Sequence, residues 1–126
     1  MPNAYVQVDG HYQQDCILDD QSLIVKLKNK RLVLITGCCH AGIINTIRFA
    51  LKLTGIDKVY GVLGGLHLSG AFFETVIERT VDALKEINPE VIVPMHCTGW
   101  NAVKRLADTF PGAFTLNSVG SKFILI

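Results

Sequence analysis

Three of the four histidines lie just beyond short apolar runs, and this recurrence constrains the fold more than any other feature of the chain. The runs are residues 32–35, 59–63 and 91–93, and they precede His40, His67 and His96. The steps between these histidines, 27 and 29 residues, match one strand, loop and helix. If the runs are parallel neighbours, right-handed crossovers bring the three loops to the carboxyl edge of one sheet. The spacing therefore predicts an α/β domain whose imidazoles face one crevice.

Helical periodicity follows each of these runs. Apolar positions three and four residues apart predict helices over residues 42–54, 71–87 and 99–110. Gly55 is placed to end the first helix, Ser69 to cap the second, and Trp100 to face inward from the third. Further strands are predicted over residues 4–8, 22–27, 114–116 and 123–126, and a polar loop over residues 9–20. Residues 1–126 are expected to form a single domain with a mixed β-sheet and three helices.

Composition narrows the classes of function. The chain is 49% hydrophobic with a mean hydropathy of +0.34, which fits strands buried on both faces or a surface covered by a partner. A net charge of +1 and a pI near 7.7 argue against electrostatic capture of nucleic acid or a membrane surface. The basic residues Lys26, Lys28, Lys30 and Arg31 are better explained as a hairpin tip, turning at residues 28–30, than as a phosphate-binding patch.

We expect a cytoplasmic, reducing location. No stretch is long and apolar enough to span a bilayer, and residues 1–3 do not open a signal peptide. The four cysteines, Cys16, Cys38, Cys39 and Cys97, lack the spacing of a secreted disulfide framework. A metal site or a shared pocket explains the last three better.

The favoured site thiol is Cys38. If the strand continues, Cys38 and His40 share a face, whereas Cys39 points the other way and is expected to pack inward as a small apolar residue. Cys97 directly follows His96 and is expected to point elsewhere. His11 lacks a comparable setting and is expected to be exposed.

A lone histidine in a loop is more often a hydrogen-bonded structural residue than a ligand. Three at equivalent topological positions favour a metal site, because a neutral imidazole offers one ring nitrogen to a metal while an acceptor fixes the other. Asp15, Asp19 and Asp20 are interpreted as turn caps.

Several segments resemble one known family. They are 19–23 (DDQSL), 36–46 (TGCCHAGIINT), 64–68 (GGLHL) and 94–99 (PMHCTG). These segments resemble the C-terminal half of the metallo-β-lactamase-fold metal-dependent hydrolases, in the branch related to the dihydropterin synthase of methanopterin biosynthesis. The resemblance implies that the chain is half of an αββα sandwich with a metal site at one edge.

The resemblance also implies roles for individual residues. His96 matches the last metal-binding histidine of the family. Other members of the family have a metal-bridging aspartate in the segment that corresponds to residues 36–40 of this chain. The resemblance implies that His40 is the first choice for that role and Cys38 the second. His67 is expected to be a further ligand or a substrate contact, and Thr98 a substrate contact. No residue is assigned as catalytic.

The family's HxHxDH motif, which supplies most of its ligands, does not occur in this sequence. The remaining ligands are expected to hold one divalent metal with an open position, with Zn²⁺ favoured over Mn²⁺ or Fe²⁺, and not a two-metal centre. The uncovered sheet face implies a homo-oligomer or a separate N-terminal half-domain as partner.

The sequence is compatible with four functions. The favoured one is a metal-dependent hydrolase module that, with its site complete, activates a metal-bound water against a small phosphoester or ester-like substrate. The alternatives are a transferase in pterin biosynthesis and a non-catalytic truncated subunit that needs a partner half. A thiol redox or metal-sensing protein is least favoured, because the sequence has no CxxC motif.

Overall fold

The structure is a computed structural model that describes residues 4–29 and 31–125. Its main sheet is formed, in spatial order, by β3 (Ser22–Lys26), β4 (Leu32–Thr36), β5 (Val59–Gly64) and β6 (Val91–Pro94). β3 pairs antiparallel with β4, whereas β4, β5 and β6 are parallel neighbours. A separate antiparallel hairpin precedes this sheet and consists of β1 (Tyr5–Val8) and β2 (His11–Gln14). The mixed sheet confirms the predicted α/β class.

Helices follow each parallel strand. They are α1 (Ile43–Thr54), α2 (Ala71–Glu74), α3 (Ile77–Ile87) and α4 (Trp100–Thr109), with a 3₁₀ turn at His96–Thr98. Gly55 ends α1 in the left-handed conformation, at a φ of 66°, and its N–H donates to the carbonyl of Leu51, as predicted. Asn88 ends α3 in the same way. Among the helices of residues 4–29 and 31–125, none has the length and apolar character needed to cross a membrane.

The two faces of the main sheet have different cores. Leu32, Leu34 and Val62 on one face are buried against the apolar stripes of the helices. These stripes include Ile47 of α1, Val81 and Leu84 of α3, and Leu106 of α4. On the opposite face Val33, Leu63 and Val93 form a smaller cluster, against which Phe123 and Leu125 pack. One layer of helices therefore covers one face, and the chain's C-terminal segment covers part of the other.

The predicted second helix, residues 71–87, is wrong as a continuous element, because the chain leaves the helical path between α2 and α3. The hydroxyl of Thr75 there donates to the carbonyl of Phe72 at 2.7 Å, a local bond that competes with helix continuation. Ser69 is not the cap, since Gly70 occupies that position without a side-chain bond. Trp100 is 74% exposed and does not face inward.

The predictions for the terminal strands also need correction. The polar loop predicted over residues 9–20 contains β2, whose four residues are all exposed and so show no apolar alternation. Residues 114–116 form a single parallel bridge, from Phe114 to Ile92, instead of a strand. Residues 123–125 are not a strand, and Ile126 lies outside the described residues. The predicted turn at residues 28–30 also includes a residue outside that set, Lys30.

Candidate metal centre

The loops that follow β4, β5 and β6 are joined by hydrogen bonds at the carboxyl edge of the sheet. The N–H of Gly65 donates to the carbonyl of Gly37 at 2.9 Å, and the N–H of Met95 donates to the carbonyl of Gly64 at 2.8 Å. The hydroxyl of Thr36, nearly buried, donates to the carbonyl of Gly65 at 2.8 Å. These bonds hold the three histidine-bearing loops in a fixed arrangement.

Glycine at position 65 is what permits this close approach. A Cβ placed there would lie 2.6 Å from Sγ of Cys97, 2.6 Å from the carbonyl oxygen of Gly37 and 2.8 Å from Cε1 of His96. A Cβ atom does not come within 3.0 Å of heavy atoms to which it is not bonded, so only glycine leaves room here for the neighbouring loops.

Cys38, His40 and His67 form the first possible ligand group. One ligand atom from each lies within 4.8 Å of the other two, and all three residues are half-buried. Sγ of Cys38 lies 3.8 Å from Nδ1 of His67, and the rings of His40 and His67 meet edge to face with centroids 4.4 Å apart. Nδ1 of His40 is buried and has no hydrogen-bond partner among the residues described. A buried ring nitrogen without a hydrogen-bond partner is suited to bind a metal ion through its lone pair.

Cys38, His96 and Cys97 form a second group, with the same 4.8 Å limit. Sγ of Cys97 donates to the carbonyl of Cys38 at 3.3 Å, contrary to the expectation that Cys97 points elsewhere. That expectation assumed the alternation of a strand, but His96 and Cys97 begin a 3₁₀ turn, in which successive side chains are about 120° apart. Two adjacent residues can thereby serve one site. Cys38 belongs to both groups.

The protonation states of these groups follow from their surroundings. Burial, and then the charge of His40, lower the pKa of His67, so its imidazole stays neutral and keeps a lone pair for a ligand bond at neutral pH. Burial, and then the neighbouring Cys38 side chain, raise the pKa of Cys97 to about 11. Burial also raises the pKa of Cys39, whose sulfur lies against the Thr46 hydroxyl and packs inward. Because the pKa of Cys97 is raised, a metal ion that binds its sulfur would have to displace the thiol proton.

Asp20 holds the first ligand loop. Its two carboxylate oxygens accept the N–H groups of Cys39 at 3.1 Å and Ala41 at 3.4 Å, which flank His40. The sequence predicts a turn cap for Asp20. The signal for this longer-range contact is the position of Asp20 two residues before β3, the strand that pairs antiparallel with β4. Cys39 and His67 both have left-handed φ values, 63° and 48°, which are uncommon outside glycine and concentrate at functional sites.

The remaining predicted residues have different settings. Thr98 is fully buried, and its hydroxyl accepts the N–H of Leu66 at 3.3 Å, so it positions the loop after β5. A substrate contact for Thr98 stays a prediction. His96 is exposed at the edge of the cluster. His11 is exposed in β2, far from these loops in the sequence, and Cys16 is exposed.

Comparison with known proteins gives a consistent group of relatives. No family model matches the chain. The chain is 34% identical over 110 residues, 87% of its length, to 7,8-dihydropterin-6-methyl-4-(beta-D-ribofuranosyl)-aminobenzene-5'-phosphate synthase of Methanocaldococcus jannaschii. It is 41% identical over 99 residues, 79% of its length, to an uncharacterized protein of the same organism.

A crystal structure of a metal-dependent hydrolase of the β-lactamase superfamily superimposes with a TM-score of 0.84 at 34% sequence identity. The match covers 96% of this chain and 46% of that protein. The two curated relatives are covered over 37% and 35% of their lengths. The chain thus spans less than half the length of each of these proteins.

Proposed function

The chain belongs to the metallo-β-lactamase-fold superfamily, and we propose on that basis that it is a metal-dependent hydrolase module acting on a small phosphoester or ester-like substrate. The observation that carries this proposal is the meeting of Cys38, His40 and His67 at the carboxyl edge of three parallel strands. Ligands of α/β sheets bind at that edge.

The donor set fits a divalent metal. Two imidazoles and one thiol are the ligand types that zinc prefers, and the partnerless Nδ1 of His40 supports a missing bond there. We assign Cys38, His40 and His67 as the principal ligands and His96 as the ligand at the exposed side. A zinc ion bound there would supply Lewis acidity and a water of lowered pKa.

The surrounding residues fix the ligands. Asp20 holds the loop that carries His40, and the ring of Phe73 packs edge to face on His67 with centroids 4.5 Å apart. Thr98 and Thr36 lock the loop after β5 through hydroxyl bonds. A ligand set held in this way needs little reorganisation when it binds its ion, which favours tight binding.

The similarity to the pterin-pathway synthase favours a second candidate function, a transferase in pterin chemistry. The proposed metal site at the carboxyl edge of the sheet would serve either reaction. Only assays of substrate turnover can therefore distinguish the transferase from the hydrolase. A dihydropterin substrate and a chromogenic phosphodiester, assayed side by side, make that comparison.

We also propose that residues 1–126 act as one domain equivalent to the C-terminal half of the fold. Helices cover one sheet face, and the chain matches less than half of each relative, which supports a second half-domain or a second copy against the other face. In the alternative, this chain is a non-catalytic subunit, and the partner half-domain contains all the catalytic residues.

Turnover tests the hydrolase proposal. Chelator-treated chain is reloaded with Zn²⁺, Mn²⁺ or Fe²⁺, alone and with a matching N-terminal half, and assayed on chromogenic phosphodiesters and esters. We expect metal-dependent hydrolysis that falls at least about 10-fold in His67→Asn and is unchanged in His11→Asn. Metal binding without hydrolysis in any of these mixtures would refute the hydrolase and favour the non-catalytic subunit.

A further inference from the structure

A cavity of about 320 Å³ lies between α1 and α3 and opens beside the metal ligands. His40 and His67 line it together with residues of both helices. Its apolar wall includes Ile43, Leu66 and Leu68. The volume is at the lower end of the range found for small-molecule sites, so it suits a compact ligand.

Two arginines line this cavity, Arg48 from α1 and Arg79 from α3. The side chain of neither arginine forms an ion pair or hydrogen bond within residues 4–29 and 31–125. The neighbouring cations behave differently, since Arg105 pairs with Glu78 and Lys85 with Asp82. Arg48 and Arg79 are thus charges that the fold itself leaves unneutralised.

The described residues that line the cavity include neither aspartate nor glutamate, so no carboxylate in the lining opposes these two charges. Both arginines are exposed at this cavity, beside its apolar wall, and together they give it a positive potential that salt reduces. Guanidinium also donates in a planar fork that fits the oxygens of phosphate and carboxylate.

We infer that Arg48 and Arg79 bind the phosphate group of a phosphorylated small molecule whose remaining part extends toward His40 and His67. Two positive charges match a phosphate monoester, which carries a charge of about −1.5 to −2 at neutral pH, better than they match a single carboxylate. The phosphate is an anchor on the helix side of the site. This inference names a substrate class and rests on the proposed function for the role of the histidines.

Phosphate binding tests the inference without the metal. Chelator-treated chain is titrated with inorganic phosphate by calorimetry, as wild type and as Arg48→Gln, Arg79→Gln and Lys52→Gln. Lys52 lies on α1, loses the same charge and does not line the cavity. We expect saturable binding that weakens at least about 10-fold in each arginine variant and less than about 2-fold in Lys52→Gln.

Equal weakening in all three variants, or no binding by the metal-free wild type, would overturn the inference. Acetate that binds as tightly as phosphate would overturn the choice of phosphate over carboxylate. Thermal unfolding checks that each variant is folded, and Arg48→Lys, which keeps the charge, is expected to retain part of the affinity. Zinc uptake by the same samples, measured separately, shows whether the metal-site proposal fails or stands on its own.

Discussion

Left-handed backbone at Cys39 and His67 marks the loops in which the proposed ligands lie. The Asp20 carboxylate accepts the N–H of Cys39, and the Thr98 hydroxyl accepts the N–H of Leu66, next to His67, so that both loops are held in place. The orphaned Nδ1 of His40 lies inside this network. At the scale of single residues, the site is a group of possible metal-ligand side chains that the loop backbone holds in position, and one of their ring nitrogens, Nδ1 of His40, is buried without a hydrogen bond to any residue that the structure describes.

Gly65→Ala tests how closely the loops must approach. Its Cβ would meet Sγ of Cys97 and the carbonyl of Gly37 at 2.6 Å, so one of the loops has to move. We expect a loss of about 1–3 kcal/mol in the free energy of unfolding and of at least about 10-fold in zinc affinity. Chemical denaturation and competition with a zinc chelator measure the two effects.

Gly112→Ala is the matched control, because a Cβ at that position has no heavy atom within 4 Å. Its unfolding free energy should stay within about 0.5 kcal/mol of the wild type, with zinc affinity unchanged. If Gly65→Ala and Gly112→Ala had the same unfolding free energy and the same zinc affinity, the close approach of the loops at Gly65 would not be needed for stability or for metal binding.

The convergence of the histidine loops was predictable, because parallel strands and right-handed crossovers carry the loops to one edge whatever their detailed shape. The contribution of Cys97 was not, because it depends on a 3₁₀ turn at His96–Thr98 that no periodicity in three residues reveals. The contact from Asp20 was also missed, because it joins the loop before β3 to the loop after β4, and no local sequence pattern reveals a contact between residues 19 positions apart.

At the scale of elements, the parallel unit follows its sequence closely. β4, β5 and β6 are apolar runs that are buried except at Ile35 and at partly exposed positions of β5 and β6, and α1 has a continuous apolar stripe ended by Gly55. The break between α2 and α3 has no glycine or proline to signal it, and the exposed hairpin of β1 and β2 has no buried face to impose alternation. Elements that define the core were therefore predictable, and those that depend on local hydrogen bonds were not.

The packing of α3 against α4 includes a bidentate pair, in which Nε and Nη2 of Arg105 donate to the Glu78 carboxylate at 2.7 and 2.9 Å. The Arg105 guanidinium lowers the pKa of Glu78 below that of a free glutamate. A carboxyl with a depressed folded-state pKa stabilises the fold above its unfolded-state pKa and loses that contribution as the pH falls through the folded-state pKa. The pair is exposed, so its effect should be small and reduced by salt.

Glu78→Gln should therefore lower stability slightly at pH 7, and the difference from wild type should disappear as the pH falls through the lowered folded-state pKa of Glu78. Denaturant unfolding from pH 7 into the acid range at low salt measures this difference. The control is Glu86→Gln, an exposed carboxyl on α3 for which no ion pair is found in the described part of the chain. A difference that grows toward acid pH would contradict the assignment.

At the scale of the whole molecule, the sheet is asymmetric. Leu23 of β3 and Ile35 of β4 are direct cross-strand partners on the face opposite the helices, and both are exposed. An exposed apolar pair beside the Val33 cluster fits a face that a second half-domain or a second copy covers.

Leu23→Ser should weaken association of the chain with itself or with a matching half-domain, measured by sedimentation equilibrium. Leu53→Ser is the control, because Leu53 is 65% exposed on α1, comparable to 60% for Leu23, but lies on the helix layer. We expect at least about 10-fold weaker association in the first variant alone. Equal association in both variants would assign the interface to another surface.

The central claim is that the cysteine and histidine loops form a metal site, and native mass spectrometry of the zinc-titrated chain tests it most directly. Asparagine tolerates the left-handed backbone of residue 67, so His67→Asn removes a ligand with little strain, and His11→Asn is the matched control. We predict about one zinc ion per chain in the wild type and in His11→Asn, and none in His67→Asn at the same free zinc. A metal-free wild type, or the same zinc content in all three proteins, would contradict the account.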